Sequence, residues 1–467
     1  MPKGIIGKKQ DSKMTSTLIQ KYNIPGPRYT SYPTVPYWQK EGIKIGNWIT
    51  SAQKTFSESN ASEGISVYIH LPFCESLCTF CACHKRITKR HSVEQPYIET
   101  LLKEWDLYCD LFSEKPRIKE LHLGGGTPTF FSAENLEKLL TQIIAKSDLA
   151  EDYEFSFEAH PNNTTKEHLQ TLYDLGFRRT SFGVQDYDIK VQKAINRIQP
   201  FETVKKVTSW AKEIGYTSIS QDLVFGLPHQ TLDSIRNTID LTKALKPDRI
   251  AFYSYAHVPW IKNVGQRGYR EEDLPSAEEK RALYQTGKEL LDELGYEEIG
   301  MDHFALKTDT LYQAVEQKTL HRNFMGYTAN KTQLMIGLGM SSISDSWYGF
   351  AQNLKDLEEY TDCVNKGVLP IFRGHELSQE DLVIRRHILN IMCHFETSWK
   401  ADNLKFPELE TCFLNLKEME QDGLVHLHED GLSLPHHARP FVRNICMAFD
   451  LLLLRSKPET RVFSMTI

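Results

Sequence analysis

Four of the nine cysteines fall inside CESLCTFCAC, which places Cys74, Cys78 and Cys81 in a C-x3-C-x2-C arrangement with Cys83 two positions beyond. Nine cysteines in 467 residues give that spacing by chance roughly 0.003 times. Cys109, Cys363, Cys393, Cys412 and Cys446 are scattered and the total is odd, so the set is no disulfide framework; clustered thiolates point to metal. Structural zinc usually takes four ligands from two knuckles, and the sequence has no second knuckle. Three close thiolates can instead hold three irons of a cubic iron–sulfur cluster and leave the fourth open, which favours the cluster over zinc. The scattered cysteines are expected as small buried hydrophobes. Cys83 is expected as a thiol that is not a ligand.

A second candidate is Gly124-Gly125-Gly126-Thr127-Pro128-Thr129, where missing side chains let backbone groups approach a ligand closely. Taken alone, a plain βα turn would explain it as well. Glu158 and Asp222 are carboxylates within apolar runs, and Arg197 offers a fork suited to a carboxylate. Their ordinary alternatives are an interior ion pair for Glu158 and surface charges for the other two.

These residues need a scaffold, and the chain supplies short β-rich runs at 66–73, 119–126, 154–161, 179–185, 218–228 and 249–259, separated by amphipathic segments. Thr164 with Glu167 and Ser276 with Glu279 fit capping boxes, and Gly176 and Gly215 fit helix C-termini. Alternation of this kind implies parallel βαβ units, and six of them suit an α/β fold, an open (partial) β/α barrel in preference to a doubly wound sheet; in either the strand C-termini form the active face. An extended Pro-rich N-terminal arm is expected over 1–60, the catalytic barrel over 61–350, and a small, mainly helical, winged-helix-like C-terminal domain over 370–467. In the last, Ser378 with Asp381 opens a helix, a hairpin turns at Asp430-Gly431, and residues 439–454 read as one closing helix.

With 55 basic and 61 acidic residues the net charge is −6, which gives no sign of a nucleic-acid binder. The N-terminus lacks an apolar signal segment, and ICMAFDLLLL is too short to span a bilayer. A cytoplasmic protein is expected, with no membrane partner.

Beyond these readings, C-x3-C-x-F-C after a strand resembles the radical S-adenosylmethionine (SAM) superfamily. GVQD (183–186), Asn196-Arg197, DLVFGLP (222–228), YAHVP (255–259), GMDHFA (300–305), HRNF (321–324), RNICMAFD (443–450) and the arm GPRYTSYPT look like the oxygen-independent coproporphyrinogen III dehydrogenases (oxidases). The likeness runs in order along nearly the whole chain. It implies one [4Fe–4S] cluster on Cys74, Cys78 and Cys81, together with two SAM molecules. By matching positions the first SAM falls on Tyr68, Gly125, Glu158 and Ile343. The second falls on Phe80, Gly126, Thr127, Gln185, Arg197, Asp222 and Ala256. The implied reaction is oxidative decarboxylation of two propionates of coproporphyrinogen III to vinyl groups, giving protoporphyrinogen IX, by a monomer served by an electron donor and an acceptor.

Arg28, Arg197 and Arg322 are the cations offered to the substrate's propionates. The chain departs from the family pattern at Met325, which stands where that pattern has a Gln and cannot donate an amide hydrogen bond. Rival readings are a haem chaperone and a haem-related methyltransferase of the same superfamily. The Ala82-Cys83 ending and the arm favour the dehydrogenase.

Overall fold

The computed structural model describes residues 18–39, 44–258, 265–456 and 463–466. The start of the expected arm and Pro259 of the YAHVP run therefore lie outside the described residues. Two compact units are formed, the larger from 39–319 and 329–376, the smaller from the described residues of 1–38, 320–328 and 377–467.

In the larger unit six parallel strands follow the expected runs: β1 Ile65–Leu71, β2 Arg117–Gly125, β3 Asp148–Ala159, β4 Phe177–Gln185, β5 Ser218–Phe225 and β6 Arg249–Ser254. Six more strands complete the sheet: β7 Tyr296–Gly300, β8 His303–Leu306, β9 Leu334–Leu338, β10 Ile343–Ser346, β11 Gly349–Asn353 and β12 Ile371–Glu376. The order is β12-β11-β10-β9-β1-β2-β3-β4-β5-β6-β8-β7, so the two ends do not meet and the barrel is open. β9 joins β1 in parallel, while the outer strands on both sides are antiparallel.

Each strand of the parallel core has two characters. Val67, Ile69, Leu121, Leu123, Phe155, Phe157 and Phe182 are fully buried in one apolar core with Leu136, Leu139, Leu140 and Ile143 of helix Ala133–Ala145. The alternate positions are polar, and they lie in register across the opposite face: Tyr68 beside His122, His122 beside Ser156, Ser156 beside Arg179.

Several local expectations shift. Residues 45–59, expected within the extended arm, form an α-helix because Trp48, Ala52, Thr55, Phe56 and Ser59 share one buried stripe. The capping box expected at Thr164 and Glu167 moves on by one residue to Thr165 and His168. There the Thr164 hydroxyl is already engaged with the His160 carbonyl, and His168 bonds Phe131 O through its other nitrogen. The Ser276 box and the left-handed Gly215 cap stand as read. Of the scattered cysteines, Cys393, Cys412 and Cys446 are buried, but Cys109 and Cys363 only partly so.

The smaller unit holds helices Gln379–His394 and Leu409–Gln421 with a three-stranded antiparallel sheet, Glu396–Ser398, His426–His428 and Gly431–Ser433. Its hairpin turns at Glu429-Asp430, one residue before the expected pair. The expected helix over 439–454 is broken into Val442–Met447 and Leu451–Ser456. Asp450 makes the break: its carboxylate accepts from Leu453 N at 2.9 Å and from the Tyr29 hydroxyl at 3.0 Å.

The arm joins this unit through its backbone. Buried Arg443 donates to the carbonyls of Gly26, Pro27 (2.8 Å) and Met465 (2.8 Å), and Asn444 donates to that of Tyr22 (2.8 Å). Tyr29 and Tyr32 are each 2% exposed. No helix among the described residues is long and apolar enough to cross a membrane.

Candidate active site

A cavity of about 170 Å³ opens beside the C-terminal ends of β1 to β5. Cys74, Cys78 and Cys81 line it from the loop after β1. Phe80, Gly125, Gly126, Thr127, Glu158, Gln185, Arg197 and Asp222 line it as well, so eleven of the fourteen expected site residues share one space. Tyr68, Ala256 and Ile343 are not in its lining. Tyr68 stacks on His122 (centroids 6.1 Å apart) and bonds His70 Nδ1 at 3.1 Å. The Ala256 carbonyl accepts from Gln266 Nε2 at 2.7 Å, while Ile343 starts β10 and pairs with Gln352.

The backbone explains why these loops take the residues they do. Gly125 has φ 112°, and a Cβ there would stand 2.7 Å from the His70 ring; at Gly126 it would stand 2.6 Å from the Pro72 backbone. At Gly183 a Cβ would meet Arg197 Nη2 and Gln185 Nε2, each at 2.8 Å. Gln185 itself is left-handed at φ 70° where the β4 to β5 register slips, a strained backbone of the kind found at ligand sites.

The cysteine loop is tied down at several points. Thr79 N donates to Ile195 O at 2.9 Å, Asn196 Nδ2 to Leu77 O at 2.8 Å, and Lys85 Nζ to the carbonyls of Cys81 and Cys83, both at 3.2 Å. Thr127 Oγ1 donates to Cys74 Sγ at 3.4 Å, and Arg197 Nη1 to Cys78 Sγ at 3.5 Å. Donors aimed at sulfur favour thiolate charge. Burial pushes the Cys74 thiol up to about 11, whereas hydrogen bonding from Cys83, aided by the Lys85 charge, draws the Cys81 thiol below its ordinary value.

Electrostatics also act on the carboxyl of Asp222. Burial, reinforced by repulsion from Glu158, raises Asp222 to about 7 despite a 2.8 Å hydrogen bond from Ser181 Oγ. Glu158 accepts from Gly125 N at 3.4 Å and faces His122 Nε2 at 3.6 Å. Burial and the Arg197 charge take His160, also in the lining, down to about 3.

Among the described residues no three His, Cys, Asp or Glu side chains are gathered as ligands of a single metal ion. What the cavity offers is three thiols from one loop, two of them met by donors, and a glycine edge that brings backbone close. That donor set fits a sulfur-bound cluster of several irons with a polar ligand beside it.

Sequence reading missed His70, His122, Ser181, His160 and Lys85. One signal was available: strands covered on both faces usually read as unbroken apolar runs, yet β2 carries Glu120 and His122, and β3 Glu154, Ser156 and Glu158, at every second position.

Residues 68–242 match the model of the radical SAM superfamily, whose members use SAM and a [4Fe–4S] cluster. The chain is 39% identical over 450 residues to a protein of Helicobacter pylori named oxygen-independent coproporphyrinogen III oxidase, covering 93% of this chain and 96% of the relative. A Synechocystis protein of the same name is 37% identical, with 97% and 98% covered. The solved structure of the coproporphyrinogen III oxidase of Escherichia coli, described as a radical SAM enzyme, superposes with a TM-score of 0.87 at 33% identity, over 94% of this chain and 99% of that one. With that identity carried from the arm through the barrel to the C-terminal unit, the chain belongs to the family of oxygen-independent coproporphyrinogen III oxidases.

Proposed function

We propose that the protein oxidatively decarboxylates two propionate side chains of coproporphyrinogen III to vinyl groups, giving protoporphyrinogen IX without oxygen. The observation that carries this is the 39% identity over 93% of the chain to a relative of that name. Cys74, Cys78 and Cys81 are the proposed ligands of one [4Fe–4S] cluster, and SAM is proposed to bind twice. Tyr68, Gly125, Glu158 and Ile343 would serve the first molecule; Phe80, Gly126, Thr127, Gln185, Arg197, Asp222 and Ala256 would serve the second. When bound, cluster and SAM supply a one-electron cleavage that yields a 5′-deoxyadenosyl radical able to take hydrogen from an unactivated carbon.

The chain's own residues do the positioning. Thr127 and Arg197 hold two of the thiols by donating to them, and Lys85 fixes the loop that follows. Gly125 and Gly126 let the loop after β2 close onto His70 and Pro72, which sets the cavity edge that both residues line. Asp222, raised to about 7, is available near neutrality as a hydrogen-bond donor, whereas Glu158 offers a carboxylate to the cationic groups of SAM. Propionates call for cations, and Arg28, Arg197 and Arg322 are the candidates by charge. The proposed compartment is the cytoplasm, where free thiols stay reduced.

The test is anaerobic incubation of reconstituted protein with SAM, a reductant and coproporphyrinogen III. Protoporphyrinogen with two vinyl groups and 5′-deoxyadenosine are expected. A protein that carries iron and sulfide, cleaves SAM and leaves every propionate intact would overturn the proposal.

A further inference from the structure

On the polar face of the sheet, one line of hydrogen bonds has a fixed direction. Arg179 Nη2 lies 3.0 Å from Ser156 Oγ, and Ser156 Oγ lies 2.7 Å from His122 Nδ1. His122 Nε2 is 3.6 Å from Glu158 Oε1. The residues are cross-strand neighbours, His122 on β2 opposite Ser156 on β3, and Ser156 opposite Arg179 on β4.

A guanidinium can only donate, so Ser156 accepts from Arg179; its own hydrogen, buried and with His122 Nδ1 as its one acceptor among the described residues, turns toward His122. The ring nitrogen that receives it, Nδ1, therefore carries no hydrogen. His122 is left with its N–H on Nε2, facing Glu158. The far end of the line is anchored as well, since Arg179 Nε is held by Glu154 at 2.9 Å. Tyr68 covers the imidazole, its ring within 17° of parallel to it.

Glu158 needs such a hold. Its side chain is 47% exposed, and the Asp222 carboxyl shares its cavity. Apart from His122, the donor it meets is the Gly125 amide at 3.4 Å. Left to itself, a long carboxylate at an open cavity would sample several rotamers, and fixing one is what preorganises a binding site.

We infer that His122 is a positioning residue: its Nε2 edge, oriented by Ser156 and Arg179 and 3.6 Å from Glu158 Oε1, keeps the Glu158 carboxylate turned into the cavity, ready for the cationic groups of SAM. This rests on the reading of Glu158 as a SAM contact. His122 touches no reacting atom.

The experiment measures SAM affinity by anaerobic equilibrium dialysis of the reconstituted full chain without reductant, alongside iron and sulfide content. His122→Phe keeps a ring against Tyr68 but has no donor, and it should weaken SAM binding about tenfold with iron unchanged. His122→Gln restores an N–H near the Nε2 position and should return affinity to within about threefold of wild type. Ser156→Ala leaves the ring whole but frees the tautomer, and should fall between the two.

Wild-type affinity in both His122→Phe and Ser156→Ala would overturn the inference, as would His122→Gln binding as weakly as His122→Phe. Should His122→Phe fail to fold, Ser156→Ala decides, and wild-type affinity there is the overturning result. Glu158→Ala separates the two levels of the argument. If it binds SAM normally, the reading of Glu158 falls and the inference with it; if it alone binds weakly, only the inference falls.

Discussion

The guanidinium of Arg197 donates to the sulfur of Cys78 across 3.5 Å, while its second amino group is held by the Gly183 carbonyl at 2.6 Å. One side chain thus connects the cysteine loop to the end of β4, and its Nε has no hydrogen-bond partner among the described residues. Arg197→Ala should remove a charge-assisted anchor worth roughly a 100-fold effect on vinyl formation, while 5′-deoxyadenosine release continues uncoupled. Both products are measured in one reaction. Equal loss of the two would contradict the division.

Exchange of any one of Cys74, Cys78 or Cys81 for Ser replaces a soft ligand with a harder one, and should abolish both bound iron and SAM cleavage. Cys83→Ser should retain most of the iron, because Cys83 lies two positions beyond the three-cysteine spacing and is expected as a non-ligand. Iron and sulfide analysis of the four proteins decides. Equal depletion in all four would make Cys83 a ligand.

Glu104 lies in helix Glu94–Leu111, fully buried and bonded to Tyr360 Oη (2.6 Å), Gly339 N (2.8 Å) and Asn353 Nδ2 (2.5 Å). Burial raises it from 4.5 to about 7 against the pull of those donors. A raised value means that the native state binds the proton more tightly, so this contribution to stability is complete below about 4.5 and is lost as the pH climbs through about 7. Glu104→Gln does not titrate. The stability difference between wild type and variant should therefore shift by about 3 kcal/mol against wild type between pH 4 and pH 8, read by urea denaturation. A constant offset would show that the carboxyl is not titrating in this range.

Arg443 gathers four backbone carbonyls, of Gly26, Pro27, Met465 and Thr466, into a buried site. Arg443→Met leaves those carbonyls without a donor and should cost roughly 3 kcal/mol, releasing 18–38 to limited proteolysis while iron content stays near normal. The truncation that removes 1–37 is a harsher test, since it also strips Tyr22, Tyr29 and Tyr32 from the smaller unit's packing. Protease resistance of the arm in Arg443→Met would argue against this anchorage.

Much of this was legible in the sequence, for reasons that differ by residue. The six parallel strands announce themselves because β-branched and aromatic residues cluster there, and the cysteine and glycine motifs because their spacing is improbable by chance. Helix Ile45–Ser59 was hidden by the prolines before it and by a buried stripe that includes Ser51, Thr55 and Ser59, small polar residues that carry little hydrophobic signal. The break at Asp450 was partly hidden too: its contact with Leu453 N is local, but the bond from Tyr29 comes from 421 positions earlier. His122 could not be distinguished from a core histidine without knowing that Ser156 and Arg179 stand beside it, a matter of strand register alone.

Strand order carries a consequence for synthesis. β1, whose loop bears the cysteines, has β2 on one side and on the other β9, with Ser66 beside Met335 and Ile69 beside Leu338. A ribosome must therefore add some 270 residues after β1 before its second neighbour exists. Throughout that interval the sequence ISVYIHL is an apolar edge with unpaired backbone groups, the kind of surface that recruits other strands. Chains arrested before Leu334 should accordingly pellet on centrifugation or bind a holdase chaperone, and chains completed through Asn353 should do neither. Iron loading is then expected to follow translation, on a sheet already closed around its cysteine strand.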